Sequence, residues 1–167
     1  MRSLIVFVII LALVAIACGS EEPIPETPTD TSPAPDSFTL VELHPSHGKL
    51  NALLAEHTNL ALAADRRPFV ELYADWCPPC IKLDESLADQ RMVEAYRGTY
   101  IIRLDLDDWN RQLSGTDFTV TVIPIFFELD GEGAPTGRTI TGGAWGEDVP
   151  ENMAPPLHNF FQDGSTQ

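Results

Sequence analysis

The chain has 167 residues, a length that suggests one globular domain with appendages. It carries 25 acidic against 10 basic side chains, for a formal charge of -15, and this balance argues against nucleic-acid binding, which needs clustered Lys and Arg. We interpret the excess of acid as a solvated surface. The cysteines are Cys18, Cys77 and Cys80, and an odd number means that one of them cannot belong to a disulfide within the chain and needs another explanation.

The first 17 residues have the pattern of a signal peptide. A short basic start is followed by residues 4–17 without a polar side chain, a run too short for a comfortable membrane span but suited to a signal-peptide core. Residues 15–20 (AIACGS) resemble the lipobox of bacterial lipoproteins, although Ala15 replaces the usual Leu. The resemblance implies that Cys18 is lipidated and anchors the chain in a membrane. An ordinary cleaved signal peptide with an incidental cysteine is the alternative.

Residues 18–37 are predicted to be a tether. From residue 19 onward, prolines alternate with acidic residues and threonines, a composition that cannot pack into a core. We therefore expect an extended segment that holds the globular domain, residues 38–167, away from the bilayer on the periplasmic or other extracytoplasmic side.

The domain alternates strand and helix patterns. In chain order the predicted strands are 38–43, 68–74, 100–106, 120–129 and 138–141, and the predicted helices are 49–65, 81–88, 92–96, 107–113 and one starting near Pro155 and Pro156. This order predicts an α/β fold with a mixed sheet flanked by helices. Pro124 inside the fourth strand marks an edge, a start or a special turn. Trp109 is interpreted as a packing residue. His44 and His47 lack further ligands nearby, so we predict no metal.

A Cys-x-x-Cys motif stands where the strand 68–74 gives way to the helix 81–88. This position puts Cys77 at the helix N-terminus, where unpaired N–H groups and the helix dipole stabilise a thiolate. A thiolate attacks disulfides, and a second thiol at Cys80 can resolve the mixed disulfide. The pattern therefore predicts a redox-active dithiol. Because Pro78 and Pro79 have no N–H, Cys77 at the N-cap would keep only the donor from Cys80.

Three motifs together resemble the thioredoxin fold: residues 72–80 (LYADWCPPC), 122–124 (VIP) and 126–133 (FFELDGEG). Within that superfamily they look closest to the C-terminal thioredoxin-like domain of DsbD-type transmembrane thiol reductases. The resemblance implies a thiol–disulfide oxidoreductase with Cys77 as the exposed nucleophile and Cys80 as the buried resolving thiol. It also implies a cis-proline at Pro124, whose loop pairs with the substrate backbone, and we place Trp76 and Ile123 with it at the substrate-binding surface.

Two acids match the same family. Glu71 falls where thioredoxins carry a buried carboxylate beneath the cysteines, and Asp84 falls where the DsbD-type domain carries a second acid. Helical spacing independently puts Asp84 on the face of Cys77 and Cys80. A carboxylate near a thiol disfavours the thiolate, and Glu71 could take a proton from Cys80. The alternatives are that Glu71 is a solvent-facing strand residue and Asp84 a solvated helix residue.

These observations predict a membrane-anchored, exported thiol–disulfide oxidoreductase that reduces the disulfides of exported proteins. Few donors at Cys77 and nearby acids favour a reductase over an oxidase. The sequence contains no cofactor motif, so we expect a membrane thiol donor to supply the electrons. An isomerase or oxidase is the nearest alternative, and an idle scaffold is another. A module that binds copper or zinc through Cys77 and Cys80 belongs to a different class, and a single Cys-x-x-Cys supports it weakly.

Overall fold

The computed structural model of the protein describes residues 37–163. The predicted signal peptide, the lipidation site Cys18 and all of the predicted tether except residue 37 lie outside these residues, as do residues 164–167. The strands are β1 (Thr39–Leu43), β2 (Arg67–Tyr73), β3 (Thr99–Asp105), β4 (Ile125–Leu129) and β5 (Pro135–Thr141). The helices are α1 (Leu50–Ala63), α2 (Pro78–Ser86), α3 (Gln90–Ala95), α4 (Leu106–Leu113) and α5 (Pro150–Gln162), with single 3-10 turns at Pro45–His47 and Gly142–Ala144. Within residues 37–163, no helix combines the length and apolar character needed to cross a membrane.

The strands form one mixed sheet in the order β1-β3-β2-β4-β5. β1 and β2 both pair with β3 in parallel, whereas β4 is antiparallel to β2 and to β5. The two central parallel strands are buried along almost their whole length, because helices cover both faces of the sheet. The predicted α/β class with a mixed sheet is confirmed.

A hydrophobic core lies on each face of the sheet. The core on the side of α1 and α4 includes Leu54, Val70, Ile102, Trp109 and Phe127. The core on the side of α2, α3 and α5 includes Phe69, Met92, Tyr96, Phe126 and Phe161. Successive strand residues alternate between these cores, since side chains along a strand point to opposite faces. The indole of Trp109 is fully buried and donates to the backbone oxygen of Leu43 at 2.8 Å, which confirms its prediction as a packing residue.

Two predicted elements differ from the structure by five residues at their start, more than any other. The strand predicted over 120–129 begins only at Ile125, because Pro124 has no N–H to give to a ladder and follows a cis peptide bond. The last helix begins at Pro150, not near Pro155, and it continues through both internal prolines. Its buried side chains cover the sheet, and this burial outweighs the missing backbone hydrogen bonds.

Candidate active site

Cys77 and Cys80 form a disulfide at the start of α2, with their Cα atoms 5.3 Å apart. Cys77 is the N-cap residue, and its Sγ accepts a hydrogen bond from the backbone N–H of Cys80 at 3.3 Å. Pro78 and Pro79 occupy the first two helical positions and have no N–H to offer. The prediction is confirmed: the Cys77 sulfur keeps the hydrogen bond from the backbone N–H of Cys80 and receives none from Pro78 or Pro79.

The expectation that Cys77 is exposed is wrong for this disulfide form. Cys77 is 2% exposed and Cys80 is 1% exposed. Both sulfurs belong to a small apolar cluster against which Ile123 packs, and the backbone oxygen of Ile123 lies 3.8 Å from Sγ of Cys77. The segment before β4 therefore forms one wall of the site and covers the sulfur that the resemblance assigns as nucleophile.

This wall is built on the cis peptide bond between Ile123 and Pro124. The backbone oxygen of Pro124 accepts from the N–H of Gly142 at 3.1 Å. A Cβ atom on Gly142 would lie 3.4 Å from Cδ of Pro124, so the turn after β5 supports the proline closely. Val122, just before the wall, is 49% exposed. The loop thus presents an apolar side chain to solvent beside the disulfide.

Trp76 lies at the surface immediately before the disulfide. It is 63% exposed, and its indole N–H donates to a carboxylate oxygen of Asp107 in the first turn of α4 at 2.7 Å. Ile81, in the first turn of α2 after Cys80, is 42% exposed. We call Trp76, Ile81 and Val122 the apolar rim. Each rim residue is the chain neighbour of a residue that forms or packs on the disulfide, and the hydrogen bond to Asp107 fixes the orientation of Trp76, the largest of the three.

Glu71 is buried in β2, so the alternative that it faces solvent is wrong. Glu71 is 1% exposed and lies on the sheet face that α2, α3 and α5 cover. One carboxylate oxygen lies 3.1 Å from Nε of Arg103, and the other has no hydrogen-bond partner among the described residues. Burial raises the pKa of Glu71 to about 7, since the loss of hydration outweighs the opposing charge of Arg103. At neutral pH this carboxyl group can therefore either hold or release a proton.

Arg103 was not among the residues predicted for the site, yet it connects the two predicted acids. Its side chain lies near Glu71 and donates to a carboxylate oxygen of Asp84 at 2.9 Å. The guanidinium carbon stands 3.9 Å from the centre of the Tyr73 ring. Among residues 37–163, Nε of Arg103 meets no acceptor with the geometry of a good hydrogen bond, so its 3.1 Å contact with Glu71 acts chiefly as an ion pair. We call Glu71, Arg103 and Asp84 the triad. The side chain of Asp84 is 40% exposed and that of Arg103 is 8% exposed, so the triad runs from the buried Glu71 to the protein surface.

The signal that could have identified Arg103 is its place in the strand. It interrupts the apolar run 100–106, and a charged residue in a strand buried on both faces requires a counter-charge. Glu71 and Arg103 are paired residues in the β2–β3 register, which brings them together across the sheet.

Comparisons with known proteins agree with this architecture. No protein-family model matches the chain. The chain is 33% identical over 100 residues to the thiol:disulfide interchange protein TxlA of Synechococcus elongatus, a match that covers 58% of this chain and 51% of the relative. It therefore spans about half the length of that relative.

Among solved structures, the disulphide isomerase of Xylella fastidiosa superimposes with a TM-score of 0.53 at 16% identity, covering 71% of this chain and 93% of the other. A poplar thioredoxin h superimposes with a TM-score of 0.50 at 17% identity, covering 78% and 98% of the two chains. The chain has a thioredoxin fold.

In this thioredoxin fold the site residues gather at one end of the parallel strands. Cys77 follows the carboxyl end of β2, and Asp107 follows the carboxyl end of β3. Open α/β sheets commonly place their sites at this end. Because β2 and β3 are paired in parallel, their carboxyl ends lie side by side, and the segment that carries the disulfide lies next to the first turn of α4.

The histidines of the first loop lie outside the disulfide site. The backbone N–H of His44 donates to Nδ1 of His47 at 3.2 Å. Across residues 37–163, the structure has no group of three or more His, Cys, Asp or Glu side chains arranged to hold a metal ion.

Proposed function

We propose that this chain is a thiol–disulfide oxidoreductase that reduces protein disulfides with the dithiol of Cys77 and Cys80. The observation that carries the proposal is the Cys77–Cys80 disulfide at the N-terminus of α2, with Sγ of Cys77 accepting the N–H of Cys80. A helix N-terminus stabilises the thiolate that such a reaction needs. The similarity to a thiol:disulfide interchange protein supports the same reaction.

The reaction moves two electrons from the dithiol to the substrate. The Cys77 thiolate attacks one sulfur of the substrate disulfide, a mixed disulfide forms, and the other substrate sulfur leaves as a thiolate that takes up a proton. Cys80 then attacks Sγ of Cys77, which releases the second substrate thiol and closes the Cys77–Cys80 disulfide. Glu71, with a pKa of about 7, accepts the proton that Cys80 loses. Asp84 influences this proton through Arg103, which contacts both carboxylates.

The substrate is bound by the surface around the disulfide. We assign Trp76, Ile123 and Pro124 to it, because Trp76 is exposed beside Cys77 and Ile123 lies against the Cys77 sulfur. In the disulfide form the wall at Ile123 covers the Cys77 sulfur, which puts this wall next to the atom that a substrate must reach.

Reduction is the favoured direction because the Cys77 sulfur has few donors. Pro78 and Pro79 supply no N–H, and Glu71 adds a carboxyl group that is partly ionised at neutral pH. Both features leave the thiolate less stable, and a less stable reduced form makes a weaker oxidant. A reduction potential near that of the strongest disulfide oxidants would contradict this direction.

We further propose that the protein is exported and held at a membrane by a lipid on Cys18, with kinship to the DsbD-type reductases and a membrane thiol donor as its source of electrons. The lipobox resemblance at residues 15–20 and the proline-rich composition of residues 18–37 support this location. Mass spectrometry of the mature N-terminus tests it, and an unmodified Cys18 would overturn the anchor.

The catalytic assignment is tested by reduction of insulin with dithiothreitol as the electron source. The wild-type protein should accelerate reduction, and Cys77→Ser and Cys80→Ser should each abolish the acceleration. In cells, Cys80→Ser should accumulate mixed disulfides with exported proteins, since the resolving thiol is missing, whereas Cys77→Ser should accumulate none. Trapping by Cys77→Ser alone would reverse the assigned roles. Equal trapping by both variants would remove them. Metal binding by the purified wild-type protein without any reductase activity would favour the metal-binding alternative.

A further inference from the structure

The apolar rim consists of three exposed apolar side chains, each close along the chain to a residue of the disulfide site. Its members Trp76, Ile81 and Val122 account for three of the six large hydrophobic side chains that are exposed within residues 37–163. All three lie within a few residues of either the disulfide or the cis-proline. Exposed apolar groups collected around a reactive centre indicate a surface that a partner covers.

A recess of about 210 Å³ is lined in part by Asp75, which precedes Trp76, and by Asp107, which accepts the indole N–H of Trp76. It is lined by His44, Tyr73 and five carboxylates: Glu42, Asp75, Asp105, Asp107 and Asp108. We call this the acidic recess. Its lining contains no Lys or Arg. The carboxylates come from β1, from the segment after β2, from the end of β3 and from the first turn of α4, so the tertiary fold assembles them next to the apolar rim.

Contacts inside the recess compensate only part of this charge. Asp105 caps α4 by accepting the N–H of Asp107 at 2.8 Å, and Asp107 accepts the indole N–H of Trp76 at 2.7 Å. The ring of His44 lies 3.6 Å from Glu42 and 3.5 Å from Asp108, and its side chain is 48% exposed.

The start of α4 explains acids at its own first turn, since carboxylates there interact well with the helix dipole. Glu42 and Asp75 come from other segments of the chain. Glu42 accepts a hydrogen bond from the hydroxyl of Tyr73, and the backbone N–H of Asp75 donates to Asp105 at 3.3 Å, but neither contact brings in a positive charge. Like charges held close together repel one another, and a cation from a partner relieves that repulsion.

We propose that the preferred substrates are polypeptides that carry a Lys or Arg beside the disulfide, with the cation in the acidic recess and the neighbouring apolar side chains on the apolar rim. This inference rests on the proposed reductase function and names its substrate class. The recess begins at Asp75, two residues before Cys77, and shares Asp107 with the anchor of Trp76. A cation within a few residues of the attacked sulfur can therefore reach it while the apolar part of the same segment contacts the rim.

The test uses two disulfide-bridged peptides that are identical except for Lys or Glu beside one cysteine. Reduced protein is mixed with each peptide, and formation of the Cys77–Cys80 disulfide is followed over time. We expect the Lys peptide to react about tenfold faster at low ionic strength, a gain typical of electrostatic steering. The preference should shrink as salt is added, because exposed charges are screened.

The triple variant Glu42→Gln/Asp75→Asn/Asp108→Asn removes three of the five carboxylates of the acidic recess and keeps Asp105, which caps α4, and Asp107, which anchors Trp76. It should lose most of the preference for the Lys peptide, whereas its rate with an uncharged peptide should change far less. Far-UV circular dichroism and a denaturant melt establish that the variant is folded.

The matched control is Glu56→Gln/Asp65→Asn/Glu132→Gln, which changes the net charge equally and lies outside the acidic recess. It should keep the preference. An equal loss in both variants would mean that overall charge, not the recess, selects the substrate and would overturn the proposal. Equal wild-type rates for the two peptides would overturn it while leaving the reductase function intact. Failure of the wild-type protein to reduce any peptide would instead overturn the proposed function.

Discussion

Replacing Glu71 by Gln should change how the stability of the fold depends on pH. Glu71 is buried, and one of its carboxylate oxygens has no hydrogen-bond partner among the described residues. Burial raises its pKa from an ordinary 4.5 to about 7 despite the nearby charge of Arg103. A Gln at this position has a similar shape and stays neutral at every pH, so it represents the protonated form of Glu71.

The magnitude follows from the two pKa values. Below pH 4.5 the carboxyl group is protonated in the folded and the unfolded chain, and its ionisation costs no stability. Between pH 4.5 and about 7 the unfolded chain releases the proton while the folded protein keeps it, so the free energy of unfolding falls as the pH rises. Each tenfold change in proton affinity is worth about 1.4 kcal/mol, so the complete loss above pH 7 is about 3 kcal/mol.

The assay is urea unfolding of the oxidised wild-type protein and of Glu71→Gln at several pH values from 4.5 to 8. The difference between the two proteins isolates this one group, because other titrating groups are common to both. The wild-type protein should lose about 3 kcal/mol more than the variant across this range. Parallel pH profiles would refute the inference that Glu71 is desolvated enough to retain its proton near neutrality.

Two related variants test the cause of the shift. Arg103 is the group that lowers the pKa of Glu71, so Arg103→Met should raise that pKa further and enlarge the loss of stability at pH 8. The charge of Asp84 raises the pKa of Glu71, so Asp84→Asn should make the loss somewhat smaller without removing it. A smaller loss in Arg103→Met or a larger loss in Asp84→Asn would contradict the arrangement of Glu71, Arg103 and Asp84.

Two pairs of substitutions check the packing around this site. Trp109→Phe removes the buried N–H that binds the β1 backbone, so it should lower the free energy of unfolding by about 1 to 3 kcal/mol in denaturant unfolding. Trp76→Phe, at an exposed position, should change it by less than about 0.5 kcal/mol but should slow the reduction of protein substrates. Similar stability losses for the two variants would contradict this contrast. Gly133→Ala places a Cβ 2.9 Å from the backbone of Leu54 at a φ of +86°, whereas Gly137→Ala has a similar φ of +91° and open space. The second should cost about 1 kcal/mol from the backbone alone and the first clearly more, so equal losses would refute the close contact with α1.

Local patterns were sufficient for the elements that bear the chemistry. Apolar runs predicted the central strands β2 and β3, and helical spacing predicted α1, because burial imposes these periods on the sequence. The Cys77–Cys80 motif at a strand-to-helix junction also predicted the N-cap geometry with a single donor from Cys80. These features depend on residues that are neighbours along the chain.

Features that depend on distant neighbours needed the tertiary structure. The start of the helix 150–162 was predicted wrongly, because packing against the sheet overrides the two internal prolines. The cover over Cys77 comes from Ile123, which is 46 residues away in the sequence. The resemblance placed Ile123 and Pro124 at the site, but only the structure shows that the backbone oxygen of Ile123 lies against the Cys77 sulfur.

The sequence by itself determined the fold class, the redox pair and the two acids as candidates. Only the tertiary structure decided that Arg103 joins Glu71 to Asp84 and that five carboxylates meet beside Trp76. The physical reason is that the charge state of a buried group and the potential of a surface are sums over all nearby charges. Strand register and helix packing set those distances, whereas residue order along the chain does not.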